Sequence, residues 1–332
     1  MRPGKVPPEL LQRLVYPYLG RRPDVLVHAS WGQDCAVLDF GEWVCVVTTD
    51  PITGASRHLG RLAVHVACND LAATGAEPVG LLLDVLLREG STEEDLRELM
   101  EEAGAAAAEI GIEIVGGHTE VTPGIDRTLV VMTALGKAPR DGFVTTAGAR
   151  PGDTLVITKA AGLEGTAILA TDFASYFSER LGDDLVRRAQ AFLQEISVLP
   201  EGRVAVRSGA VAMHDATEGG IVGAALEMAH ASGVGLELWV DRIPVREETR
   251  RICELVGIDP LGLISSGSLL IATPDPARTV GALARAGIPA EAVGRFVSDG
   301  RVQIRDGKRT ELAPFARDEL WRALELLEEV RE

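Results

Sequence analysis

The chain has 332 residues, a formal net charge of −16, 46% hydrophobic residues and 25% charged residues. This length fits about two domains of roughly 100–200 residues each, and the composition excludes disorder for most of the chain. The acidity excludes a global basic footprint, so neither nucleic acid nor a membrane is expected as a partner.

The first part of the chain alternates predicted helices and strands. We predict a short helix over 8–20 broken at Pro17, strands over 35–40 and 43–49, a helix over 59–74 and a strand over 78–87. A long helix follows from the capping signal at Ser91 to Ile110, and then strands over 112–115 and 127–136 with a Gly-Gly loop between them. This alternation is typical of an α/β or α+β fold.

A stretch rich in Gly, Pro and polar residues over 139–152 marks the predicted domain boundary. We therefore expect an N-terminal domain over 1–147 and a C-terminal domain over 148–332. In the second domain the predicted strands are 154–158, 210–214, 234–240, 268–273, 292–297 and 301–305. The predicted helices are 163–172, 182–196, 217–231, 245–256, 276–287 and 317–330.

The sequence carries no sign of an exported or membrane-bound protein. None of its four cysteines forms a CxxC pair, so a structural zinc site or a disulfide framework is not expected. The first residues lack the apolar region of a signal peptide, and no apolar run approaches the ~20 residues that span a bilayer. A cytoplasmic protein is therefore expected.

Aspartates interrupt the apolar segments of the first domain at three places. Asp34 precedes a predicted strand and Asp50 ends one, whereas Asp70 lies beside Asn69 in an otherwise apolar helix. An ionised carboxylate in apolar surroundings must be paired, hydrogen-bonded, exposed or bound to a metal. Because magnesium prefers scattered carboxylates together with phosphates and water, these aspartates are candidate metal ligands.

Three further places have residues suited to phosphate. The backbone at 116–117, a Gly-Gly pair, would allow close approach of a ligand and present free N–H groups. Lys159 follows a predicted strand and would neutralise a phosphate as a point charge. Asp215 or Thr217 would cap the next helix, whose N-terminus attracts an anion. Taken singly, each signal is also typical of an ordinary turn, cap or surface residue.

The order of these segments resembles a known superfamily. GQDCAV, TTDPIT, NDLAATGAEP, GGHTEV and HDATEGG follow one another, and the resemblance extends from about residue 30 to about residue 305. In this order the chain is similar to the PurM-like proteins related to aminoimidazole ribonucleotide (AIR) synthetase. That superfamily includes thiamine-monophosphate kinase, selenophosphate synthetase and the hydrogenase maturation factor HypE.

The resemblance implies a two-domain α/β (α+β) fold. Its N-terminal domain would form a β-barrel across a homodimer, with the C-terminal α/β domain packed beside it. It also implies ATP in the cleft between the domains, Mg²⁺ around the phosphates, and either γ-phosphoryl transfer or activation of a carbonyl or carboxamide oxygen by phosphorylation. Such chemistry needs charge neutralisation and alignment more than covalent chemistry by the protein.

Matching positions imply individual roles. The implied metal ligands are Asp34, Asp50, Asp70 and Asp215, and the implied catalytic residues are Asp70, Lys159 and Asp215. The implied ATP-binding residues are Asn69, Gly116, Gly117, His118, Thr119, Lys159, Thr217, Gly219 and Gly220. Two positions depart from the superfamily pattern. Gln33 replaces the first acidic residue of the GDD motif, and His118 replaces an aspartate of the kinases and HypE, with Glu120 as a partial substitute.

The resemblance is strongest to HypE-like proteins and leaves the substrate open. HypE ends in a reactive cysteine, whereas this sequence ends LLEEVRE and its last cysteine is Cys253, so we do not expect the HypE reaction in that form. Selenophosphate synthetase carries a cysteine in an N-terminal loop, and residues 1–30 contain none. We expect an enzyme acting on a small molecule or a carried group, with another maturation protein as a candidate partner. The alternatives are a thiamine-monophosphate-kinase-like enzyme and a nucleotide-binding protein without turnover.

Overall fold

The computed structural model describes residues 3–328. Within this range the helices are α1 (Pro8–Leu14), α2 (Leu59–Thr74), α3 (Glu93–Ile110), α4 (Leu163–Asp172), α5 (Ala174–Leu181), α6 (Asp183–Gln190), α7 (Leu199–Ser208), α8 (Gly220–Ala231), α9 (Glu247–Val256), α10 (Pro276–Arg285) and α11 (Glu319–Glu328). The strands are β1 (Val25–Val27), β2 (Ala36–Phe40), β3 (Trp43–Ile52), β4 (Glu77–Leu87), β5 (Glu113–Val121), β6 (Leu129–Pro139), β7 (Thr154–Thr158), β8 (Ala212–Asp215), β9 (Gly235–Trp239), β10 (Leu269–Thr273), β11 (Ala290–Val297), β12 (Arg301–Arg305) and β13 (Lys308–Glu311).

The first sheet has the strand order β1-β2-β3-β6-β4-β5. Its neighbouring strands run antiparallel except β4 and β5, which are parallel. Along β3 the side chains alternate, with Val44, Val46 and Thr48 buried and their neighbours less so. This period of two places one face of the sheet against the protein interior.

Helix α2 connects this sheet to the rest of the molecule. Nearly every residue of the helix is buried, and it packs against β3 and β6 on one side and against α7 and β8 on the other. Gly60 lets α3 approach closely, because a Cβ there would lie 2.3 Å from the carbonyl oxygen of Leu99. The helix ends at Gly75, whose φ of +76° is the left-handed cap that glycine adopts without strain.

The second sheet has the strand order β13-β12-β9-β11-β7-β10-β8. Its neighbours run antiparallel except β9 and β12. Strands β7, β8 and β10 are almost completely buried, as expected for strands covered on both faces. The predicted α/β class is therefore confirmed, whereas the proposed domain bounds at 147 and 148 stay a prediction.

Several predicted elements match the structure and some were wrong. The bounds of α2, α4 and β7 are those predicted. The Gly-Gly loop is wrong, because pairing with β4 continues through Gly116 and Gly117 to Val121. The sequence did not predict β1, β13, α5 and α7. Helix α7 has a Pro and a Gly near its start, and both residues weaken the helical pattern. The last helix begins at Glu319, and positions 329 and 330 of its predicted range lie outside the described residues.

Among the described residues, no helix is both long enough and apolar enough to cross a bilayer.

Candidate active site

A cavity of about 490 Å³ lies where the elements of the two sheets meet, and we call it the central cavity. From the first part of the chain it is lined by Lys5, Asp34, Asp50, Ile52, Val66 and Asp70, among others. From the second part it is lined by Glu164, Ile168, Thr217, Glu218, Ile264, Ser266, Asp318, Leu320 and Trp321. A cavity of this size fits a small-molecule or cofactor site.

Different elements bring three aspartates to the central cavity. Asp34 lies in the loop before β2, Asp50 lies near the end of β3, and Asp70 lies in the fourth turn of α2. Thr48 of β3 links two of them, since its buried hydroxyl lies 2.5 Å from Asp70 Oδ2 and 3.1 Å from the carbonyl oxygen of Asp34. The sheet and the buried helix therefore hold these carboxylates at one place.

Asp215 reaches the same cluster from the second sheet, at the end of β8. It is completely buried, and neither of its carboxylate oxygens has a hydrogen-bond partner among the described residues. Leaving a buried carboxylate unpartnered costs several kcal/mol (on the order of 1–3 or more per unsatisfied group). One ligand atom each from Asp34, His214 and Asp215 lie within 4.8 Å of one another, which is a spacing suited to a metal ion.

The carboxylates of the cluster raise one another's pKa. Burial and the neighbouring charge of Asp34 raise the pKa of Asp215 to about 7. Burial, together with the charges of Asp50, Asp215 and Asp34, raises the pKa of Asp70 well above its usual range. The pKa of Asp50 is raised as well, mainly by burial. Such mutual repulsion is what a bound divalent cation would relieve, so the unpartnered oxygens and the donor type both fit Mg²⁺.

His214 sits between two carboxylates behind this cluster. Its Nδ1 lies 2.6 Å from Asp34 Oδ2, and its Nε2 lies 2.7 Å from Glu227 Oε2 in a buried hydrogen bond. Burial lowers the pKa of His214, but the charges of Asp34 and Glu227 outweigh burial and raise it well above its ordinary value. Gly32 lets the Asp34 loop pack against α8, since a Cβ there would lie 3.2 Å from the carbonyl oxygen of Glu227.

Lys5 places a cation in the central cavity. The residue as a whole is exposed, but its ammonium group lies 3.4 Å from Thr217 Oγ1. Enclosure of the ammonium lowers its pKa, and the charges of Glu227, Asp34, Glu218 and Asp50 outweigh this effect and raise the pKa above its ordinary value. The N-terminal segment therefore contributes positive charge to a site that is otherwise acidic.

Comparison with known proteins identifies the family. Residues 32–138 match the model of the AIR synthase related protein N-terminal domain, and residues 150–307 match the model of its C-terminal domain. The carbamoyl dehydratase HypE of Cupriavidus necator is 32% identical over 77% of this chain and 73% of its own length. The chain belongs to the AIR synthase related family.

Two further members of the AIR synthase related family illustrate the similarity. The carbamoyl dehydratase HypE of Bradyrhizobium diazoefficiens is 32% identical over 81% of this chain and 79% of its own. The crystal structure of a hydrogenase maturation protein HypE in complex with ATP superimposes with a TM-score of 0.69 and 26% identity. That comparison covers 94% of this chain and 95% of the other, so the PurM-like fold predicted from the sequence is confirmed.

Two predicted site residues of this AIR synthase related protein serve the packing of its interior. Asn69 donates to the carbonyl oxygen of Ile196 and accepts from the N–H of Val198, both at 2.8 Å, so one N–H and the oxygen of its amide are engaged inside the protein. Lys159 donates to the carbonyl oxygens of Glu195 and Ser197 and lies 2.9 Å from Glu201, likewise inside the protein. Neither residue lines the central cavity.

These contacts bear differently on the two predicted roles. The three N–H groups of the Lys159 ammonium all have protein partners, so none remains for a phosphate. The structure therefore does not support a role for Lys159 in ATP binding or catalysis. The predicted role of Asn69 toward ATP stays a prediction.

The glycine-rich positions fall in two different places. Gly116, Gly117, His118 and Thr119 lie on the edge strand β5, where their side chains and backbone are exposed, and they do not line the central cavity. Thr217 lines the cavity.

The glycines at 219 and 220 begin helix α8. Gly219, rather than Asp215 or Thr217, is its N-cap, so the predicted side-chain cap was wrong. The N–H of Gly219 donates to Asp318 Oδ2. Gly220 has a φ of +62°, and a Cβ there would lie 2.5 Å from the carbonyl oxygen of Leu261. The roles of these glycines toward ATP stay a prediction.

Sequence reasoning missed several residues of the site. His214 was visible as the first letter of HDATEGG, but a histidine at a strand end carries no signal that it touches an aspartate 180 positions away. Glu227 and Glu164 lie at helical positions that are typical of ordinary surface glutamates. Lys5 lies before the first element, where no pattern indicates that the chain folds back onto the cavity.

Proposed function

We propose that this protein is a Mg²⁺- and ATP-dependent enzyme that transfers a phosphoryl group to an oxygen of a small molecule or carried group, or activates that oxygen by phosphorylation. The observation that carries the proposal is the cluster of the partly buried Asp34 and Asp50 with the buried Asp70 and Asp215, in which Asp215 has no hydrogen-bond partner among the described residues. Scattered carboxylates that raise one another's pKa are suited to metal-bound phosphates and to little else in a protein interior.

Similar proteins support ATP as the nucleotide. The HypE structure described above contains ATP, and the similar proteins from Cupriavidus necator and Bradyrhizobium diazoefficiens are named carbamoyl dehydratases. Because the present chain has the same fold and gathers Asp34, Asp50, Asp70 and Asp215 beside one cavity, we infer the same nucleotide. Bound Mg²⁺ would neutralise the phosphate oxygens and align them.

The remaining residues of the cavity have roles that follow from their contacts. Lys5 would approach the transferred phosphoryl group, because its ammonium already lies beside Thr217. His214, held by Glu227, would keep Asp34 oriented toward the metal. These are positioning and charge-neutralising roles, which is the kind of contribution that phosphoryl transfer needs.

We further propose that two copies of the chain complete the site. Strand β5 is an unpaired edge of the first sheet, and Val115 and Val121 on it are more than half exposed, as is Val79 of the neighbouring strand β4. An exposed apolar edge strand pairs readily with a second chain. Such a homodimer would carry the 116–119 segment toward the cavity of the other copy.

The four cysteines of this sequence do not suit the role of a thiol that carries the acceptor, which favours a small molecule. Cys35, Cys68 and Cys253 are buried, Cys45 is half-buried, and burial raises the pKa of all four thiols. Inert buried thiols do not suit a carrier role. A small-molecule kinase of the thiamine-monophosphate-kinase type is therefore the second candidate. The other alternative is a nucleotide-binding protein without turnover, which detection of ATP turnover in an activity assay would exclude.

The test is ATP turnover by the parent and by Asp70→Asn, measured with Mg²⁺ and a panel of small acceptors. We expect the parent to turn over ATP and Asp70→Asn to lose at least about 100-fold in rate, since it removes a group that stabilises charge in the transition state. Asp183→Asn, an exposed change of the same kind on α6, is the matched control. A parent that binds Mg-ATP without turnover would contradict the proposal.

A further inference from the structure

The central cavity has a second polar region, formed by Glu164 and Ser266. Glu164 lies in the first turn of α4, and Ser266 lies in the segment before β10. Both are buried, with 3% and 0% of their surfaces exposed, and both line the cavity. Apolar side chains surround them, among them Ile168, Ile264 and Leu320.

Neither polar group is fully used by the protein. Glu164 Oε2 and Ser266 Oγ have no hydrogen-bond partner among the described residues. Burial raises the pKa of Glu164 to about 7, and the nearby hydroxyl and backbone N–H of Ser266 lower it only in part, since neither is aligned for a hydrogen bond to Glu164 Oε2. Because buried donors and acceptors are almost always satisfied, two unsatisfied groups side by side in one cavity indicate a ligand.

This region is separate from the aspartate cluster. The neighbouring charges that raise the pKa of Glu164 are those of Asp318 and Glu218. The charges that raise the pKa of Asp70 are those of Asp50, Asp215 and Asp34. The two acidic groups therefore lie in different parts of the cavity. A molecule bound at Glu164 could extend toward phosphates held at the aspartates.

The charge around Glu164 selects the kind of ligand. The nearby carboxylate of Asp318 accepts from the backbone N–H groups of Gly219, Ile264 and Leu320, and Glu218 accepts from the indole of Trp321. These partners are neutral. The charge of Glu218 also acts on the Lys5 ammonium, but no ion pair to Asp318 or Glu218 is formed among the described residues. A cationic N–H group would satisfy Glu164 and offset the negative charge around it.

We propose that Glu164 and Ser266 form the subsite for the phosphoryl acceptor, and that the acceptor carries a cationic N–H group, such as an amidinium or ammonium, on a small apolar body. The inference rests on the proposed function in taking the occupant to be the acceptor. Adenine could donate to Glu164 through its N6–H and accept from Ser266 at N1, but as a neutral group it would leave the acidic surroundings uncompensated. The subsite is therefore assigned to the acceptor rather than to the nucleobase.

The test uses benzamidine, benzamide and benzoate, which are similar in size. Benzamidine is a cation with N–H donors, benzamide is neutral with N–H donors, and benzoate is an anion without them. Binding to the full-length, nucleotide-free protein is measured by saturation-transfer NMR and calorimetry. We expect benzamidine to bind, benzamide to bind at least about 10-fold more weakly, and benzoate not to bind. Glu164→Gln should weaken benzamidine by about 10-fold or more and Ser266→Ala by a smaller factor.

Asp50→Asn is the matched control, because it removes the same charge at the aspartate cluster of the same cavity. It should leave benzamidine binding within about twofold of the parent, so that a local contact is distinguished from net charge. Equal binding of benzamide and benzamidine, or benzamidine binding unchanged by Glu164→Gln in a folded variant, would overturn the proposal. So would a loss of Mg–AMPPCP affinity in Glu164→Gln, which would assign the subsite to the nucleobase.

The two proposals fail separately. Benzamidine binding is measured without nucleotide, whereas the proposed function is tested by ATP turnover in Asp70→Asn. Benzamidine binding at Glu164 in a protein that never turns over ATP would support a site for a cationic ligand and would reject both the enzyme and the assignment of that ligand as a phosphoryl acceptor.

Discussion

Replacing Asp215 by Asn should stabilise the metal-free protein while abolishing its response to Mg²⁺. Asp215 is buried without a hydrogen-bond partner among the described residues, and its ionised form is disfavoured by burial and repelled by Asp34 and Asp50. Asn keeps the shape, removes the charge, and offers an amide that can donate to the neighbouring carboxylates. Asp215→Asn also replaces a carboxylate oxygen that would bind Mg²⁺ by an NH₂ group, which cannot bind it.

The magnitude follows from the pKa of Asp215. A folded-state pKa of about 7, against an ordinary 3.8, means that ionised Asp215 costs the folded state on the order of 4 kcal/mol. The folded state binds this proton more tightly than the unfolded state does, so the associated stability is fully present below the ordinary pKa. It is lost as the pH rises through about 7. Above that pH, Asp215→Asn removes the cost and should stabilise the protein by up to the same amount.

Urea denaturation at about pH 8, in EDTA and in excess MgCl₂, measures both effects. In EDTA the Asn variant should have the higher midpoint. In MgCl₂ the parent should gain about 2–3 kcal/mol at 100-fold the dissociation constant, and the variant should gain little. Asp183→Asn is the control for the loss of a negative charge at an exposed position. A variant that is less stable in EDTA, or that responds to Mg²⁺ as the parent does, would refute the reasoning.

Three further predictions follow from the same geometry. Lys5→Met should lower ATP turnover by about 10–100-fold without lowering the melting temperature, because it removes the cation beside Thr217. Unchanged turnover would contradict a role of Lys5 in phosphoryl transfer. Glu164→Gln should be more stable than the parent at about pH 8, by on the order of 3 kcal/mol, since burial raises the pKa of Glu164 to about 7. That stability difference should shrink as the pH falls through about 7 toward 4.5, because the parent carboxyl is then protonated in the folded state. Thermal melts across this range would reveal a difference that fails to shrink. Asn69→Ala should cost about 2–4 kcal/mol, because it leaves the buried backbone groups of Ile196 and Val198 unpaired, and an unchanged urea midpoint would contradict this.

The sequence could predict much of the fold because its strongest patterns are local. The apolar periodicity of 59–74 and its terminal glycine determine α2, and the capping residues near Thr92 begin α3. Elements whose stability comes from distant contacts were missed. Helix α7 contains a Gly that is required because a Cβ at 202 would lie 2.2 Å from the carbonyl oxygen of Ala72, a contact that no local pattern reveals.

The candidate site was partly predictable for the same reason. Asp34, Asp70 and Asp215 stand out because each interrupts an apolar segment, and the structure brings them together. Lys159 has the same appearance in the sequence, but the chain turns there so that its ammonium meets Glu201 and two backbone carbonyls. Glu164 looks like an ordinary helical glutamate, and only the packing of α4 against the cavity shows that it is buried.

The central claim is that the aspartate cluster holds Mg²⁺ and the phosphates of ATP. A crystal structure of the protein with Mg²⁺ and the non-hydrolysable analogue AMPPCP tests it most directly. The account predicts Mg²⁺ at about 2.0–2.1 Å from carboxylate oxygens of Asp70 and Asp215, with phosphate oxygens completing its coordination. Phosphates bound elsewhere, with Asp34, Asp70 and Asp215 all remote from both metal and nucleotide, would contradict it.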